Sequence, residues 1–133
     1  MPPQKFREIV FLLLFSQDAH ESDPESLQNA IKQELKVSQK QVEEGWKKYE
    51  AIKENLADID EAITKLATTY DLHRIQKVEL AILRLAGYEL LFEKKLEVAI
   101  VIAEAKRLAK KFATPDAASF CQAILDAMMK EKC

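Results

Sequence analysis

Residues 78–92 read VELAILRLAGYELLF, and this stretch decides the fold. Its only charges are Glu79, Arg84 and Glu89, each five residues from the next. Five residues turn a helix by about 140°, so the three charges point in three directions and leave no polar face. A helix that is apolar almost all round is buried among other helices. The run is too short to cross a bilayer. It is therefore expected to be the central helix of a helical domain, ending around Glu93–Lys95.

The bulk of the 133 residues agrees with an all-α domain. Glycine occurs twice and proline four times, while Ala, Leu, Lys and Glu dominate. With so few turn formers and no β-rich runs, helix is the economical reading. The length suits one domain spanning 1–133, long enough to bury about two-thirds of its unfolded surface. A net charge of −2 argues against a wholesale basic nucleic-acid binder. The distribution is uneven, however. Residues 21–71 carry twelve acids against seven bases, and residues 94–133 carry eight bases against five acids. Such polarity permits a local anion-binding face.

On either side of the central helix the apolar spacing is helical. Phe6, Ile9, Val10, Leu13 and Leu14 form a stripe on a helix from about Gln4 to Gln17, with Phe11, Leu12 and Phe15 widening it. Residues 18–23 form a polar loop, and Asp23-Pro24 opens a short helix buried through Leu27, Ile31 and Leu35. Ser38 and Gln41 have capping-box spacing. From Val42, apolar residues recur every three or four positions through Trp46, Tyr49, Ile52, Leu56, Ile59, Ile63, Leu66 and Tyr70. One long helix or two nearly collinear ones follow, with Gly45 and Glu54-Asn55 as weak points; a coiled-coil arm is the alternative. Residues 71–74 connect to the central helix. Beyond it, Val98, Val101, Ile102, Ala105, Leu108, Ala109 and Phe112 make another stripe, backed by Lys106, Arg107, Lys110 and Lys111. Thr114-Pro115-Asp116 opens a last helix anchored by Phe120, Ile124, Leu125 and Met128. The architecture expected is a compact bundle of six or seven helices.

Catalytic machinery is hard to assemble from these residues. His20 and His73 are far apart and neither sits in an Asp/Glu-x-x-His pair, which a di-iron bundle would need. There is no glycine-rich phosphate loop and no nucleophile elbow. The acids Asp58, Asp60 and Glu61 flank Ile59 on a helix and read as a solvated face rather than a metal site. Cys121 and Cys133 lack metal-ligand spacing, which points to a reducing, cytoplasmic compartment with no metal and no cofactor. The apolar run Ile9–Phe15 is seven residues long with Glu8 at its edge, which is unlike a secretory signal. What remains is binding.

Residues 73–92, HRIQKVELAILRLAGYELLF, and 98–128, VAIVIAEAKRLAKKFATPDAASFCQAILDAM, resemble the carboxy-terminal half of the NusB family of transcription antitermination factors, a likeness that covers residues 72–129. Lys5–Phe15 (KFREIVFLLLF) resembles its first helix more weakly. The resemblance implies two three-helix subdomains packed across each other. It also implies a role in ribosomal RNA transcription: binding boxA-like single-stranded RNA together with NusE, a basic small-subunit ribosomal protein, within the RNA polymerase antitermination complex.

The family's arginine-rich amino-terminal segment grips RNA, because guanidinium groups pair with phosphate and stack on bases. Here Lys5 and Arg7 are what correspond to it, and a solvated helix start is the competing reading. Phe15 matches a position that is often tyrosine near the RNA track, although core packing suits it better. Residues 112–126 resemble a family pattern, F-G-x-x-D-S-x-K-F-V-N-G-V-L-D, in which Asp116, Phe120, Leu125 and Asp126 hold. The glycines are replaced by Ala113 and Ala123, the basic residue by Ser119 and the asparagine by Gln122. Asp116 and Phe120 thereby join the implied RNA side, against plain readings as a first-turn acid and a core aromatic. Glu79 matches an acid on the NusE side, with pairing inside the domain as the alternative. Arg84 and Glu89 are expected to be structural pairs. Two rivals stand beside this reading: a helical protein-interaction module with little RNA affinity, and a NusB-like fragment of a ribosomal RNA cytosine methyltransferase.

Overall fold

The structure, a computed structural model, describes residues 3–19, 23–66 and 75–132. His20, Tyr70, the connection 71–74 with His73, and Cys133 lie outside the described residues. The described chain forms seven α-helices: α1 Pro3–Ala19, α2 Pro24–Leu35, α3 Gln39–Glu54, α4 Leu56–Thr64, α5 Lys77–Tyr88, α6 Val98–Phe112 and α7 Pro115–Lys132. A π-helical turn, Glu89–Glu93, extends α5. The chain divides into two compact units, residues 1–54 and 55–133.

In the first unit α1 packs on α2 and α3. Ile9, Val10, Leu13 and Leu14 are buried as their spacing requires, and so is Phe11. Phe6 stays half-buried beneath the Lys48 ammonium, 5.5 Å from its ring. Short signals in the sequence become real caps. The Asp23 carboxylate accepts from the Ser26 backbone N–H at 3.1 Å. Ser38 and Gln41 bond reciprocally, with Ser38 N–H donating to Gln41 Oε1 at 2.8 Å and Gln41 N–H to Ser38 Oγ at 3.2 Å. Gly45 does not weaken α3, which runs through it. It is buried against Ile9, where a Cβ would collide with the Ile9 side chain.

The break in the long apolar pattern falls at Asn55, which is also where the units divide. In the second unit α5 packs against α4, α6 and α7. Ala81, Ile82, Leu83, Leu85, Ala86 and Gly87 are all buried, as expected of a helix without a polar face. Arg84 is satisfied by a two-pronged pair with Asp60 of α4, Nε to Oδ1 and Nη2 to Oδ2, each 3.0 Å. Planar guanidinium against carboxylate is the geometry that makes such a pair directional. Glu89 is buried and engaged.

Two expectations about this unit need correction. Val98, expected in the α6 stripe, is 39% exposed, because it is the first residue of the helix, before the buried face of Val101, Ile102, Ala105, Leu108 and Ala109 begins. Phe120, expected to anchor α7, is only half-buried; Ala117, Ala118, Cys121, Ile124, Leu125 and Met128 form the buried face instead. No helix among the described residues is long and apolar enough to cross a membrane.

Candidate functional site

The start of α1 carries the two cations singled out in the sequence. Lys5 is half-buried in the first turns of the helix. Arg7 is 6% exposed, beside Glu8 at 3%, and both are engaged in interactions of their own. A buried guanidinium has to be paired, because an unpaired charge away from water is prohibitively costly. Phe15 is half-buried and stacked on Phe11, ring centroids 6.0 Å apart. Ten residues separate it from Lys5, about 15 Å along the helix axis.

Asp116 and Phe120 come together on α7. They are four residues apart, hence on one face, with Asp116 exposed in the first turn and Phe120 half-exposed one turn on. Thr114 Oγ1 caps this helix by accepting from the Ala117 N–H at 3.0 Å. The first turn is thus held without using the Asp116 carboxylate. Lys5, Arg7 and Phe15 belong to the first unit and Asp116 and Phe120 to the second.

Glu79 has a structural task of its own. Its Oε1 accepts from the Gln76 backbone N–H at 2.9 Å, closing a capping box at the start of α5. It also lies near the buried Cys121. Burial first, and the Glu79 charge second, push the Cys121 thiol up to about 12.

Two further features lie outside the site residues named from the sequence. Four large apolar side chains, Phe92, Leu96, Val98 and Ile100, are exposed within residues 92–100, where the π-helical turn leads into α6. The π-helical turn has no sequence signature, so this exposure was not legible. The second is a basic groove of about 590 Å³ along α6, lined by Ala103, Lys106, Arg107, Lys110 and Lys111. Its signal, cations at spacings of one, three, four and five, was present in the sequence. No group of three His, Cys, Asp or Glu able to hold a metal occurs among the described residues.

This arrangement offers cations, part-exposed aromatic rings and exposed apolar side chains: binding chemistry for polyanions and proteins. Comparison with known proteins bears on which. The protein-family model "NusB family" matches residues 4–130. A transcription antitermination protein NusB of Nitratiruptor sp. is 39% identical over 125 residues, covering 94% of this chain and 89% of its own. Among solved structures, a crystal structure of antitermination factors NusB and NusE in complex with dsRNA contains a chain with TM-score 0.81 and 27% identity, covering 96% of each chain. NusB of T. maritima gives TM-score 0.78 at 34% identity, covering 98% of this chain and 92% of the other. The chain belongs to the NusB family.

Proposed function

We propose that this protein is a transcription antitermination factor that binds boxA-like single-stranded RNA together with NusE. The observation that carries this reading is the match over nearly the whole length to NusB proteins, one of them from an assembly with NusE and RNA. Residues 1–133 act as one NusB-like domain, in the cytoplasm and within the RNA polymerase antitermination complex. No bond is made or broken and no cofactor is used; the mechanism is coupled binding.

In this reading Lys5 neutralises backbone phosphate, and Arg7, set behind the surface, supports it from within the first helix. The half-exposed rings of Phe15 and Phe120 provide stacking surfaces for splayed bases. The Asp116 carboxylate is an acceptor for a base amino group. On the partner side, Glu79 presents its carboxylate to a basic protein. The exposed apolar residues 92–100 add the kind of surface that marks protein contacts. The buried Arg7 favours one alternative, a protein-interaction module with little RNA affinity.

The test is a titration of labelled boxA-like and scrambled RNA, with and without NusE, at two salt concentrations. Preference for boxA that is strengthened by NusE supports the proposal; NusE binding without any RNA preference favours the alternative. For the partner face, Glu79→Gln keeps an acceptor for the capping box and removes the charge. It should weaken the NusE complex with helix content unchanged, and an undiminished complex would rule Glu79 out.

A further inference from the structure

The α6 groove is positioned by local sequence alone. Lys106 and Lys110 are one turn apart, as are Arg107 and Lys111, about 6 Å along the axis. The four cations form two adjacent rows on one helix face, opposite the buried stripe of Val101, Ile102, Ala105, Leu108 and Ala109. The one acid in this stretch, Glu104, is held by Arg107, Nε to Oε2 at 2.8 Å, with its side chain 14% exposed. Lys106 and Lys110 make no ion pair with a described residue. Lys111 lies over the Phe112 ring at 5.6 Å.

Two ordinary explanations fall short. Cations near a helix carboxy-terminus offset the negative end of the dipole, by about 0.3–1 kcal/mol each, but the effect fades beyond the last turn. It accounts for Lys110 and Lys111 and not for Lys106 and Arg107. A merely soluble face would mix its charges, as α3 does with four lysines against four glutamates. Residues 103–112 instead carry four bases and one acid, in a chain whose net charge is −2.

We infer that the basic face of α6 is a second RNA-contacting surface, binding the phosphate backbone of single-stranded RNA without reading its bases. The inference rests on the RNA-binding function proposed above and adds to it a track on a different helix from Lys5 and Arg7. RNA backbone is favoured over a folded protein partner because the groove is lined by cations and Ala103 alone, with no large apolar anchor. It is also continuous in the chain with the α7 face: Lys111 precedes Asp116 by five residues.

The experiment is a salt titration of RNA binding by the full chain and its Lys106→Gln/Lys110→Gln variant, using boxA-like and scrambled oligonucleotides. Each phosphate neutralised contributes about −0.7 to the slope of log affinity against log salt. The variant should therefore lose about 1.4 units of slope, equally for both RNAs, with an unchanged melting temperature. Lys40→Gln/Lys47→Gln, exposed on α3, should keep the full slope. An unchanged slope in the α6 variant, while the unmodified protein binds RNA, overturns this inference and leaves the RNA function standing. The same holds if the variant loses only binding to phosphatidylserine vesicles or to poly-glutamate. If the unmodified protein binds no RNA at all, the function itself fails first.

Discussion

The two glycines of this chain sit in helices, where glycine costs about 1 kcal/mol relative to alanine, yet their neighbourhoods assign them opposite roles. At Gly45 an added Cβ meets the fully buried Ile9, whose branched side chain has no room to turn aside. Gly45→Ala should destabilise the protein by about 1–2 kcal/mol, overpacking outweighing the helix gain. At Gly87 the nearest atom would be Ile59 Cγ2 at 3.4 Å, an ordinary contact. Gly87→Ala should be neutral or stabilising by up to about 1 kcal/mol. Urea denaturation of both variants tests the contrast, and a loss at Gly87 would mean that α4 and α7 lie closer to α5. Cys121 carries a second residue-scale prediction. Its thiol is raised from 9.0 to about 12 in the folded chain, by burial and then by Glu79. The unfolded thiol therefore ionises first as pH rises, so its contribution to stability is complete below pH 9 and is lost between about 9 and 12. Denaturation midpoints should fall over this range less steeply in Cys121→Ala than in the unmodified protein. Native Cys121 should also react slowly with thiol reagents at pH 8.

At the scale of elements, the helix starts were legible because capping is local: Asp23, Ser38 with Gln41, and Thr114 all bond as their spacing predicts. The helix ends were less so. Lys36 and Lys94 close α2 and the π-helical turn in the left-handed conformation, at φ 56° and 53°, where glycine is the usual residue. A side chain there costs about 1–2 kcal/mol, partly offset by the extra freedom glycine gives the unfolded chain. Lys94→Gly should therefore raise stability by about 0.5–1 kcal/mol, read from thermal or urea unfolding. A loss would reveal a tertiary role for the Lys94 side chain. The break at Asn55 was one of two weak points in the apolar pattern; the other, Gly45, turned out to serve close packing.

For the whole molecule, RNA affinity turns on how few cations the start of α1 and of α7 carry. Adding them should strengthen RNA binding. Gln4 and Ser119 are exposed at the positions where NusB relatives are expected to be basic, so Gln4→Arg with Ser119→Lys should steepen the salt slope by about 1 to 1.5 units. A salt titration of that double variant, with tighter boxA binding at low salt, is the check. An unchanged slope would remove both α1 and the start of α7 from the RNA face.

What the sequence determined by itself follows from periodicity and local hydrogen bonding: a bundle of six or seven helices, most of their buried stripes, and a central helix within 78–92 with its charges spaced around it. Those are short-range properties, written within one or two turns of chain. The resemblance to NusB was equally legible, because it lies in the order of residues. Only tertiary structure decided which polar and aromatic groups stay available to a partner. It took Arg7 into the interior, left Phe120 half-exposed, and exposed Val98 and Ile100 where the stripe of α6 begins. Exposure depends on what the rest of the chain brings against a side chain, and no local pattern contains that information.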